Sequence, residues 1–141
     1  MATSLPEGQP MSVLERMHQA LNAHDIDAFV ELFSLDYQSE QPAHPDRQFA
    51  GREQVRENWG GTFQEVPDFH ADLLRSAVTQ GTIWSEWDWY GTRKDKSRLE
   101  MRGVMLMEVR AGKIAWARLY MEFVEHGGAG IGEVVRRMRT S

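Results

Sequence analysis

The sequence predicts an α+β domain in which three helices precede a meander of long antiparallel strands, the sheet curving into a cone that encloses a pocket. Three observations predict it. Apolar residues recur at helical spacing as far as Phe63 and run as long strand-like stretches after Phe69. Turn residues divide that second half at Gln80-Gly81, at 91–98 and at Ala111-Gly112. The length, 141 residues, suits one hydrophobic core and leaves no room for a second domain. Helices and strands segregated in this way make α+β rather than alternating α/β.

Residues 1–9 are polar and Pro-flanked and are expected to fray as a flexible tail. Residues 10–126 are expected to form the domain. Ser12-Val13-Leu14-Glu15 has the form of a capping box, and Met17, Ala20 and Leu21 continue the apolar spacing of a first helix ending near His24. Asp25 can cap a short second helix running through Phe33, with Ile26, Phe29 and Val30 on its buried side. Tyr37 to Pro42 reads as a short strand, and 44–47 as a loop, because Pro45 disfavours helix at the residue before it. A third helix starts at Gly51, with Val55, Trp59 and Phe63 on one face, and stops at Pro67.

Strands are expected at 69–79, 82–90, 99–110 and 113–124, the last two joined by a two-residue turn. Residues 127–141 read as a Gly-rich joint and a short helix ending at Arg139.

Composition narrows the function. A net charge of −5 argues against nucleic acid and against an anionic membrane surface, since both need a basic face. Arg136, Arg137 and Arg139 read instead as a solvated helix end that suits the helix dipole. There is no cysteine, hence no disulfide, thiolate nucleophile or Cys-based metal site. The five histidines show no ligand spacing, and 127–132 lacks the Lys and Ser/Thr of a phosphate loop. No metal and no cofactor are expected. The first residues lack the apolar stretch of a secretion signal and no apolar run approaches a membrane span, so a cytoplasmic location is expected. Five Trp, six Phe and three Tyr supply large apolar walls for a core or a pocket.

Two alternating sets carry the candidate chemistry. Trp84, Glu86, Asp88 and Tyr90 share one strand face; Ile83, Trp87 and Trp89 share the other. If the first set lines the pocket, two carboxylates stand between aromatic walls, where desolvation and repulsion raise a pKa for acid–base work. Periodicity alone favours the plainer assignment, with the Ile83 set in the core and the acids in water. Trp116, Arg118, Tyr120 and Glu122 form the second set, either a charge partner, a donor and a base in a pocket, or an Arg–Glu pair on an exposed strand. His44, stiffened by Pro42 and Pro45, could rim the cavity as a proton shuttle or simply lie on the surface.

The local sequence resembles the SnoaL-like/NTF2-like superfamily. The stretch 16–27 is similar to that superfamily's "ALNAxDxD" helix-turn-helix. Residues 32–37 are similar to its "LFADDA" segment and Gly51–Trp59 to its "GxxxIxxxW" helix. Gly112-Lys113-Ile114 with 119–122 is similar to its closing strand. The match spans about residues 11–125 and bears mainly on fold, which hosts many activities.

The resemblance implies that Glu86 and Asp88 point inward. The resemblance puts the ketosteroid isomerase positions at Met17, Gln41 and an apolar residue near Val104, so its three catalytic groups are missing and that activity is not implied. The limonene epoxide hydrolase pattern would use Glu86-Trp87-Asp88 and Glu122, with Glu86 in place of an arginine. The polyketide cyclase pattern would use Glu122, where most relatives have Asp.

The expectation is therefore a homodimer, paired by outer sheet faces that include Trp87 and Trp89, binding a small apolar organic molecule. Asp88 and Glu122 would move protons and Arg118 would stabilise charge. Tyr120, Trp59, Trp84, Glu86, His44 and Phe63 would line the substrate site. A non-catalytic binding module is the alternative. In a third reading Met101, Met105 and Met107 plug the cone.

Overall fold

The computed structural model describes residues 9–140. The tail expected at 1–9 therefore lies almost wholly outside the described residues. Helix α1 spans Pro10–Ala23, α2 Ile26–Glu31 and α3 Arg52–Glu65. Strands are β1 Phe33–Glu40, β2 Phe49–Ala50, β3 His70–Thr79, β4 Thr82–Thr92, β5 Arg98–Arg110 and β6 Lys113–Phe123. Helix α4, Ile131–Thr140, follows.

Helix α1 does not use the capping box. Ser12 is buried inside the helix, and Pro10 takes the first helical position, where its fixed φ and missing N–H cost nothing. His24 ends the helix in the left-handed conformation. Asp25 caps α2 as expected, its Oδ1 accepting from the Ala28 N–H at 3.1 Å. Helix α2 stops at Glu31 rather than Phe33, because the Leu32 carbonyl accepts the Ile114 N–H at 2.7 Å and draws the chain into the sheet.

One six-stranded sheet runs in the order β2-β1-β6-β5-β4-β3. It is not wholly antiparallel. β1 and β6 run parallel, because Phe33 pairs with Ile114 and both strands start at the same end of the sheet. The hairpin residues Gln80-Gly81 and Ala111-Gly112 all have positive φ, the requirement of a type I′ turn. Gly103 of β5 lies opposite Met121 of β6, hard against the β6 backbone. A Cβ there would sit 2.8 Å from the Met121 Cα and nearer still to the Tyr120 carbonyl, so only glycine permits the approach.

Side-chain alternation sorts the two faces. Ile83, Ser85, Trp87 and Trp89 of β4 are buried, as are Met105 and Met107 of β5 and Ile114, Ala117 and Met121 of β6. The helices cover this concave face. Asn22 ties α1 to the free edge of β3: its side-chain amide donates to the Ala71 carbonyl at 3.0 Å and accepts the Ala71 N–H at 2.7 Å. His18 and His24 lie 2.8 Å from the carbonyls of Ala71 and Phe69, so both serve the same seam. Helix α4 buries none of its residues; Ile131 and Met138 are over three-quarters exposed.

Candidate functional site

Beneath α1–α3 the sheet leaves a cavity of about 340 Å³. Phe29, Phe33, Phe69, Trp59 and Trp89 supply aromatic walls, and Met17, Met101, Met105 and Met107 supply adaptable ones. Trp59 is the hub. Its ring lies 5.4 Å from Phe29, 5.4 Å from Phe69 and 5.2 Å from Trp89, mostly tilted or edge-on. Helix α3 brings it there because Val55, one turn earlier on the same face, is anchored in the core. Phe63, one turn later, stacks on His24 at 4.7 Å and backs the wall without lining the cavity.

The polar lining is small and almost uncharged: Tyr37, Ser39, Gln41, Asn58, Thr62 and Arg93. Some of it is already committed. Gln41 Oε1 accepts from Arg47 at 2.9 Å, Asn58 Oδ1 accepts from Gln54 at 2.7 Å, and Arg93 donates to the Arg98 carbonyl at 2.9 Å. Burial pushes the Tyr37 phenol up to about 12, partly offset by a hydrogen bond with Ser39. It therefore stays a neutral donor at every physiological pH. Trp89 is 6% exposed, and its indole N–H has no hydrogen-bond partner. A buried donor left unpaired costs about 1–3 kcal/mol.

The carboxylates lie elsewhere. Trp84, Glu86 and Asp88 alternate with the buried set and face the convex side; so do Arg118, Tyr120 and Glu122. None of the six lines the cavity, which corrects the inward orientation implied by the resemblance. They form an outer lattice instead. Asp88, Arg102 and Glu122 stand directly opposite one another on β4, β5 and β6, with Arg102 Nε 3.3 Å from Asp88 Oδ1. Glu86 pairs with Arg75 at 3.0 Å and Arg118 with Glu40 at 3.3 Å. His44 does not rim the cavity; its Nε2 lies 2.8 Å from Glu122 Oε1 on the exposed face.

The physical reason is the two-residue period of a strand. Matching Asp88 and Glu122 to inward acids sets the register one residue away from Trp89 and Phe123, which do line the cavity, and one residue exchanges the faces. The same slip affects Val104, which faces out, whereas Met17 and Gln41 do line the cavity. Trp87 and Trp89, expected on an outer interface, are interior. Sequence reasoning missed Tyr37, Ser39, Asn58, Thr62 and Arg93. Asn58 and Thr62 flank Trp59 at helical spacing and could have been found from it. Nothing local marks the other three.

The SnoaL-like domain family model matches residues 14–117, most of the chain. The chain belongs to the SnoaL-like domain family. Solved structures with this fold accompany the match. IdmH of Streptomyces antibioticus, a candidate polyketide cyclase, is 20% identical, with 81% of this chain and 92% of that one covered and a TM-score of 0.69. An NTF2-like protein of Anabaena variabilis is 18% identical over 92% and 99% of the two chains, with a TM-score of 0.68. A Catenulispora acidiphila protein with a ketosteroid isomerase-like fold, solved with trimethylamine, is 17% identical over 75% and 82%, with a TM-score of 0.65. At these identities the likeness is one of fold. No curated protein matches the chain. Among the described residues no helix is long and apolar enough to cross a membrane, and no three His, Asp or Glu side chains gather as a metal ion would need.

Proposed function

We propose that this SnoaL-like protein is a cytoplasmic binding module that holds one small, largely apolar molecule inside its cone. The observation that carries the reading is the lining: aromatic and methionine walls around about 340 Å³, with a few neutral polar groups. That volume lies in the range of small-molecule sites, and Met101, Met105 and Met107 line the space without filling it.

The acid–base enzyme reading, of cyclase, isomerase or epoxide hydrolase type, finds less support. Tyr37 and Arg93 are the lining residues with ionisable side chains; the cavity holds no carboxylate and no imidazole. A phenol held near 12 is a donor rather than a base at neutral pH.

Naphthalene binding measured by calorimetry tests the reading. Ala117 lines the cavity from β6, so Ala117→Phe should occupy the space and abolish binding while the melting temperature holds. Undiminished binding by Ala117→Phe would place the site elsewhere.

We also propose a homodimer, paired through the convex face. Trp84 and Tyr120 are 46% and 42% exposed there and replace the interior Trp87 and Trp89 as the aromatic contacts. Trp84→Glu should then give a monomer in sedimentation equilibrium. A wild-type chain already monomeric at high micromolar concentration would contradict the pairing.

A further inference from the structure

Helix α4 carries an apolar stripe left largely open to solvent. Ile131, Val134, Val135 and Met138 recur at the spacing of one helix face, and Arg137 and Arg139 flank it on either side. A helix of ten residues is marginal in water by itself, so the stripe needs a surface to pack against.

The cavity supplies one. Of the residues that line it, Asn58 of α3 and Phe123 of β6 are exposed, which puts the opening between α3 and the end of β6. Phe123 is 61% exposed, a large apolar side chain left at the lip.

The chain leads α4 to that opening. Strand β6 ends at Phe123 itself. The next residues stay pinned to β5: the Val124 N–H donates to the Glu100 carbonyl at 3.0 Å, and His126 Nε2 lies 3.2 Å from Glu100 Oε2. Gly127-Gly128-Ala129-Gly130 then forms a joint, with Gly127 at a positive φ of 74°. Four residues reach about 13 Å and a ten-residue helix is about 15 Å long, together close to the diameter of a small domain. Helix α4 therefore reaches the opening with the sheet unmoved. Charge agrees, because α3 presents the exposed acids Glu57, beside Asn58, and Glu65 to the flanking arginines.

We propose that α4 is a lid: its apolar stripe docks on Phe123 and the rim of α3, across the mouth of its own chain's cavity, and holds the bound molecule in. The lid rests on the binding reading.

Two experiments on the full chain test it, with naphthalene as the probe. The chain has no cysteine, so Thr140→Cys places a single nitroxide at the end of α4, off the stripe. With naphthalene bound, the nitroxide should broaden the Trp59 indole signal, assigned through its ring contact with Phe29, more strongly than in the free chain. Nitroxide-bearing unlabelled chain mixed with ¹⁵N-labelled chain should show no such broadening. Ile131→Glu together with Met138→Glu removes the stripe and leaves the cavity lining untouched. Naphthalene should then leave about ten-fold faster in stopped-flow fluorescence, with the melting temperature held because α4 buries none of its residues.

Unchanged release from the double variant, with Trp59 unbroadened, would overturn the lid and leave the cavity reading intact. Broadening confined to the mixed chains would overturn it in favour of α4 covering a second copy's cavity. A wild-type chain that binds no naphthalene would overturn the cavity reading and the lid with it.

Discussion

Trp87→Phe separates packing from ligand binding. Trp87 is fully buried, stands edge-on to His18 at 5.5 Å and does not line the cavity. Replacing the indole by a phenyl removes the N–H bond to Ser85 Oγ, a loss of about 0.5–1.5 kcal/mol. The Ser85 hydroxyl still donates to the Met105 carbonyl, so no donor is orphaned. The missing part of the ring leaves a void of roughly 30–40 Å³, which at about 24 cal/mol per Å³ adds about 1 kcal/mol. The sum is about 2 kcal/mol, or a fall of roughly 6–10 °C in melting temperature for a domain of this size. Differential scanning calorimetry measures the fall, and naphthalene titration should show affinity within about two-fold of wild type, because the cavity wall is intact. An unchanged melting temperature would refute the packing assignment, and a lost ligand would refute the division between Trp87 and Trp89.

Other consequences are independent of that one. Asp88→Asn and Glu122→Gln should leave ligand affinity unchanged and cost about 0–1 kcal/mol each, because their partners are exposed; affinity falling ten-fold would bring the acids back to the site. Ala111 holds a positive φ of 50° before Gly112, so Ala111→Asn should stabilise the hairpin by about 0.5–1 kcal/mol in urea denaturation. The Tyr37 pKa is raised from about 10 to about 12, so the folded state keeps a proton that the unfolded state loses between those values. Stability should fall with rising pH across that window by up to about 1.4 kcal/mol per unit, and Tyr37→Phe should remove that part of the slope. An identical slope in the variant would mean that the phenol is not buried.

The fold was largely legible because its signals are local. Gln80-Gly81 and Ala111-Gly112 mark turns by residue type, and the strands on either side were placed within about two residues. Asp25 marked its own cap. The parallel β1–β6 pair was not legible, because it depends on where Leu32 meets Ile114, a contact between residues about eighty positions apart in the chain. The capping box was a false signal, since Pro10 starts the helix earlier and burial claims Ser12.

The site was legible by period and illegible by resemblance. Alternation along β4 puts Ile83, Trp87 and Trp89 in the core, and they are there. Transferring family acids to Asp88 and Glu122 put them on the wrong face, because a strand turns a one-residue error into a complete reversal. Tyr37, Ser39 and Arg93 reach the cavity from separate segments, and nothing in the order of residues announces that they meet.

The most direct measurement is a crystal of the chain soaked with 2-bromonaphthalene, with the bromine located by its anomalous signal. The account predicts one strong peak inside the cone among Trp59, Trp89 and Met105. An empty cone, or a peak only on the convex face beside Trp84, would contradict it.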